Sequence, residues 1–89
     1  MKRFRIIYKN LKKVWGYADL DTKEVIIDKK ATGKKHMEIL VHEVSHLLMP
    51  DATEEEIIRI SIYITNTLWQ QKYRRIDDRN HTPLQDGSK

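Results

Sequence analysis

Hydrophobic residues change their spacing once along this chain. Up to residue 28 they come in short alternating or continuous groups, and beyond residue 36 they recur every three or four positions. Phe4, Ile6 and Tyr8 alternate with Arg3 and Arg5, the period-two pattern of a half-buried strand. Lys9-Asn10 begins a turn. Residues 14–20, Val14 to Leu20, are rich in aromatic and β-branched types and predict a second strand. Gly16 within it marks a bulge or a close backbone approach. Asp21-Thr22-Lys23 has turn chemistry, and Val25-Ile26-Ile27 forms a third, wholly apolar strand. With such short connections, an antiparallel meander is the economical arrangement.

The polar stretch from Asp28 to Gly33 suits a loop. Met37, Leu40, Val41, Val44, Leu47 and Leu48 then fall on one helical face, predicting a helix from about Lys34 to Leu48. Pro50 ends it, because proline cannot continue a helix and biases the preceding residue away from helical angles. Thr53 is a good N-cap for a second helix, and Glu56 three residues later closes a capping box. Glu54, Glu55 and Glu56 together complement the positive end of the helix dipole. One face of this helix is marked by Ile57, Ser61, Ile64 and Leu68, widened by Ile58, Ile60, Ile62 and Trp69, and the helix is expected to reach about Tyr73. The expected fold is therefore α+β, with three antiparallel strands followed by two helices. Residues 1–76 form one domain and 77–89 a polar C-terminal tail.

At 89 residues the chain holds one domain with a marginal core. It has no cysteine, which excludes disulfides and thiolate metal sites and leaves His, Asp and Glu as possible ligands. There is no signal-like apolar run at the N-terminus and no stretch of membrane-helix length, so the expectation is a cytoplasmic chain with no membrane partner. Charge is uneven. Residues 1–35 carry eleven Lys or Arg against four Asp or Glu, a balance of +7, whereas residues 36–89 carry six against nine, a balance of −3. The basic half reads first as a solvated sheet face, with a nucleic-acid surface as its rival.

The first helix carries the chemistry. His42 and His46 are four apart, so their imidazoles stand on one face about one turn apart and can grip a small cation. Zinc accepts imidazole nitrogen at about 2.0–2.1 Å in a tetrahedral set. Glu43 lies about 100° around the helix from His42, bordering the ion rather than bonding it, which is where a general base belongs. Ile39 falls between the two His in angle, so that face is not a plain wet one. The helix is expected to be covered on both sides, by the sheet under its apolar stripe and by the second helix beside the His face. The third ligand is expected from the second helix: Glu54, three before Ile57 and seven before Ser61, lies on the inward stripe. Glu55 is the next candidate, and Glu56 is committed to the capping box. Tyr63, Tyr73 and His81 are candidates for a second donor to a developing oxyanion. Asp77, Asp78, His81 or Asp86 of the tail could fold back onto an open metal position.

The pattern His42-Glu43-Val44-Ser45-His46 followed by an acidic helix start resembles the gluzincin class of zinc metallopeptidases, most closely its minimal forms, the minigluzincins. The resemblance implies a three-stranded sheet, an active-site helix and a glutamate helix. It implies His42 and His46 as ligands, Glu43 as base and a glutamate of the second helix as third ligand. The implied substrate is a peptide or protein, held as an added strand on the sheet edge beside the cleft. The metzincin pattern is absent, since Met49 and Ala52 stand where it requires glycine and a third histidine. A rival class is a non-catalytic, zinc-stabilised interaction or nucleic-acid-binding domain.

Overall fold

The computed structural model describes residues 3–76. Its elements are β1 (Arg5–Lys9), β2 (Gly16–Asp19), β3 (Glu24–Asp28), α1 (Gly33–Leu48) and α2 (Glu54–Gln70). The fold class is α+β, as the patterning predicts, but the sheet is mixed. Its strand order is β1-β3-β2, with β1 parallel and β2 antiparallel to β3. The expected antiparallel meander is thus half right: β2 and β3 form the hairpin, whereas β1 pairs with β3 and not with β2. The reason lies in the run Val25-Ile26-Ile27, every residue of which is buried. A strand apolar on both faces belongs in the middle of a sheet, so the chain must cross from one side of β3 to the other.

That crossing is made by residues 10–15 over the C-terminal end of β3, and Asp28 fastens it. One carboxylate oxygen of Asp28 accepts from the Leu11 N–H at 3.2 Å and the other from the Lys30 N–H at 2.8 Å. The Asp28 N–H donates to the Trp15 carbonyl at 2.8 Å. The hairpin turn is set by Asp19, whose Oδ1 accepts from the N–H groups of Asp21 and Thr22, while Lys23 takes a left-handed φ of 61°.

α1 is the middle layer. It packs on β2 and β3 on one side and on α2 on the other, and among the described elements α2 touches α1 alone. The two-sided cover inferred for α1 is present, but its faces are rotated from the expected ones. Ile39 joins the core of Val25, Ile27, Ala31 and Leu47, while Leu40 and Val44 pack at its margin. The Ile39 side therefore faces the sheet. Gly16 is the close approach that its type suggests. A Cβ there would lie 2.7 Å from Ile39 Cγ2 and 2.8 Å from the Ile26 carbonyl oxygen.

On α2 the buried residues are Ile57, Ser61 and Thr65. The inward stripe thus passes through Thr65 rather than Ile64, which stays exposed. Small hydroxyl residues let the helices approach closely, and Ser61 Oγ returns its proton to the Ile58 carbonyl at 2.9 Å. The helix ends at Gln70, three residues short of expectation, where Lys72 adopts a left-handed φ of 74°. No helix among the described residues is long and apolar enough to cross a membrane. The predicted tail, 77–89, lies outside the described residues, and with it Asp77, Asp78, His81 and Asp86.

Candidate metal centre

Two turns of α1 and the first turn of α2 meet at one point. α1 presents His42 and His46 from successive turns, with Nε2 atoms 3.2 Å apart and ring centroids 4.9 Å apart. α2 is started by Thr53. Its hydroxyl accepts from the Glu56 N–H at 3.1 Å, while Glu56 Oε1 accepts from the Thr53 N–H at 2.8 Å, the expected capping box. With Glu56 so committed, Glu54 faces α1. Its Oε2 lies 3.1 Å from His42 Nε2 and its Oε1 lies 2.9 Å from His46 Nε2. His42, His46 and Glu54 form a group that could hold a metal ion. Glu55, the other candidate for third ligand, is not in it.

Protons alone do not satisfy this arrangement. A neutral ring nitrogen either donates or accepts, a charged ring only donates, and a carboxylate only accepts. If both Nε2 atoms carry protons for Glu54, two N–H groups oppose each other across 3.2 Å. If one ring accepts from the other, its lone pair faces a carboxylate oxygen. With Glu54 ionised, each assignment leaves one of the three contacts like against like. A cation between the two Nε2 atoms and the Glu54 carboxylate would turn all three groups into ligands. The separations also suit one: bonds of about 2.0–2.1 Å to a tetrahedral zinc place neighbouring donors about 3.3 Å apart.

Glu43 is half-buried beside this group. Burial raises its carboxyl above the ordinary carboxylate value; His42 and His46 pull it down, and Glu54 adds to the rise. A carboxylate that is partly desolvated is a better proton acceptor than one in water. Ser45 points elsewhere, donating to the Val41 carbonyl at 2.7 Å. The proposed oxyanion donors are not brought to the site. Tyr63 is exposed and nine residues along α2 from Glu54, about 13 Å by helical rise. Tyr73 lies past the far end of α2, and His81 is outside the described residues.

Sequence reasoning passed over His36, which is buried in the first turn of α1 and hydrogen-bonded to Tyr8 at 2.9 Å. Its only signal in the sequence is a histidine next to the apolar stripe. Compared with protein-family models, curated proteins and solved structures, the chain finds no match in any of the three.

Proposed function

We propose that this chain is a zinc-dependent metallopeptidase of the minimal gluzincin type, acting on peptide or protein substrates. The observation that carries the proposal is the triangle of His42, His46 and Glu54, whose side-chain nitrogens and oxygens converge at 2.9–3.2 Å, with Glu43 one residue from His42. Two imidazoles and a carboxylate suit zinc and leave a fourth position open. When bound, zinc acts there as a Lewis acid that makes water acidic and polarises a peptide carbonyl.

The residues divide the remaining work. His42, His46 and Glu54 hold the ion at the junction of the two helices. Glu43 takes a proton from the attacking water at its carboxylate and delivers it to the leaving amine nitrogen. β2 is an edge of the sheet, and of the two edge strands it is the one whose backbone runs close to α1. An extended substrate adding to β2 would lie along the helix that carries the site.

Replacing Glu43 by Gln keeps the size of the side chain and removes its basicity. We expect E43Q to retain one zinc per chain by elemental analysis and to lose peptide cleavage by about 10²–10⁴-fold. Undiminished cleavage would remove Glu43 as base, and protein that takes up no zinc would end the proposal.

A second reading, a non-catalytic zinc-stabilised interaction domain, is favoured by one observation. Among the described elements α2 rests on α1 alone and leaves Ile58, Ile62 and Tyr63 exposed. Under that reading parent and E43Q proteins both bind zinc and neither cleaves.

A further inference from the structure

The far end of the helix pair holds a second group of polar side chains. The C-terminal end of α2 lies against the start of α1, since a Cβ on Gly33 would meet Trp69 at 3.8 Å. After Lys72 the chain brings Arg75 onto β1. Its guanidinium lies 4.9 Å from the Tyr8 ring centroid, and its Nη1 lies 3.4 Å from His36 Nε2. Together these segments line a cavity of about 550 Å³, bounded by Tyr8, Lys29, Thr32, Gly33, His36 and Arg75. That is within the range of small-molecule pockets, about 300–1,000 Å³.

The donors here outnumber the acceptors. Lys29, His36 and Arg75 come from three separate segments, and no Asp or Glu lines the cavity among the described residues. Neither Lys29 nor Arg75 has a carboxylate partner among them.

His36 is held neutral. Arginine can only donate, so the Nε2 lone pair faces Arg75 and accepts from the Tyr8 hydroxyl. Burial, and then Arg75, lower the His36 pKa and keep the ring neutral, which assigns its one proton to Nδ1.

The start of α1 has the same imbalance. The Thr32 side chain makes no capping bond, and the first turn contains no acid but does contain Lys34 and Lys35. α2, by contrast, has a full capping box and three glutamates. Positive charge at a helix start works against the dipole, and an anion in the cavity would answer that helix start together with Lys29 and Arg75, which line it.

We propose that this cavity binds the phosphate group of a small phosphorylated molecule. Lys29 and Arg75 supply charge, while the first-turn N–H groups of α1 supply hydrogen bonds. The site is separate from the metal centre, since His36 precedes His42 by six residues, about 9 Å of helical rise. It does not depend on the peptidase reading.

Residue-resolved NMR on the protein as purified tests it, with inorganic phosphate and methyl phosphate as probes. Both should saturate and move the amides of Gly33, Lys34 and Lys35 and the ring of His36, leaving His42 and His46 in place. R75Q and K29Q, both at exposed residues, should each weaken binding about tenfold, the worth of one charged hydrogen bond. Shifts that scatter over the surface lysines without saturating would overturn the site, as would unchanged affinity in both variants. A short single-stranded DNA that binds through the same amides far more tightly than methyl phosphate would overturn the small-molecule assignment in favour of nucleic acid.

Discussion

Gly16 sits between two tolerances. It is the first residue of β2, next to the buried central strand, and Ile39 of the helix carrying the two His presses against it. The Ile39 methyl could rotate away from an added Cβ, but the Ile26 carbonyl 2.8 Å away is held in the ladder and cannot. We expect Gly16→Ala to destabilise the protein by about 1–3 kcal/mol through overpacking, measured as a lower urea midpoint. The strain would fall on α1 just ahead of His42, so zinc affinity should fall with stability. An Ala variant as stable as the parent would mean that β2 and α1 are spaced more loosely than described. At this scale the residue types were informative. A glycine inside an apolar strand pattern indicated a close contact, and two His four apart on a helix indicated one shared face. His36 was silent, because its role depends on Arg75, thirty-nine residues away, and no local pattern encodes that meeting.

At the scale of elements, what could be read depended on how local the deciding forces are. Helix periodicity and capping act within a few residues, so α1 was placed to within a residue of its start and the Thr53–Glu56 box was anticipated. The preference for Glu54 followed from its place on the stripe of Ile57 and Ser61, both of which are buried, while the box set Glu56 aside. Strand order depends on which strand is buried on both faces, and short loops alone argued for the wrong neighbour. The run Val25-Ile26-Ile27 held the answer, since only a central strand hides such a sequence. The inward stripe of α2 was half legible: Ile57 and Ser61 are buried as expected, whereas Thr65 takes the place of Ile64, because α2 has one neighbour among the described elements and Ser61 and Thr65 allow close packing against it.

The cap also links helix stability to pH. Glu56 is held below its ordinary pKa chiefly by the backbone and side-chain hydrogen bonds from Thr53. A carboxylate whose folded pKa is lowered contributes stability above its unfolded value. That contribution disappears as pH falls through the folded value. Glu56→Gln should therefore lower stability near neutral pH, since it removes the charge that the Thr53 hydrogen bonds favour. The gap between variant and parent should narrow once pH falls below the ordinary glutamate range. Denaturant unfolding at neutral and acid pH measures both. A gap independent of pH would show that Glu56 adds nothing to the cap in its ionised form.

At the scale of the whole molecule, the weak joint is the one that the candidate metal site spans. The sheet and α1 share a core, whereas among the described elements α2 is attached through α1 alone, by contacts that include Ile57, two buried hydroxyl residues and Glu54. Thr65 Oγ1 is buried there without a hydrogen-bond partner among the described residues, which weakens the joint further. An ion bound by His42, His46 and Glu54 belongs to the folded state, because only the fold brings the two helices together. Binding confined to the native state stabilises it by an amount set by ligand concentration over Kd, about 2.7 kcal/mol at a hundredfold excess. For a domain of this size each kcal/mol is worth about 4–8 °C in Tm, so zinc removal by a chelator should lower Tm by about 10–20 °C. Glu54→Gln should shrink that interval, because an amide is a poorer ligand than a carboxylate, while Glu55→Gln should leave it intact. Calorimetry with and without zinc reads all three. Equal intervals for the parent and both variants would take Glu54 out of the coordination shell, and a parent Tm indifferent to zinc would take the metal out of the fold altogether. The interval also separates joint from catalyst, because E43Q removes only the base and should melt with the same zinc-dependent gain as the parent.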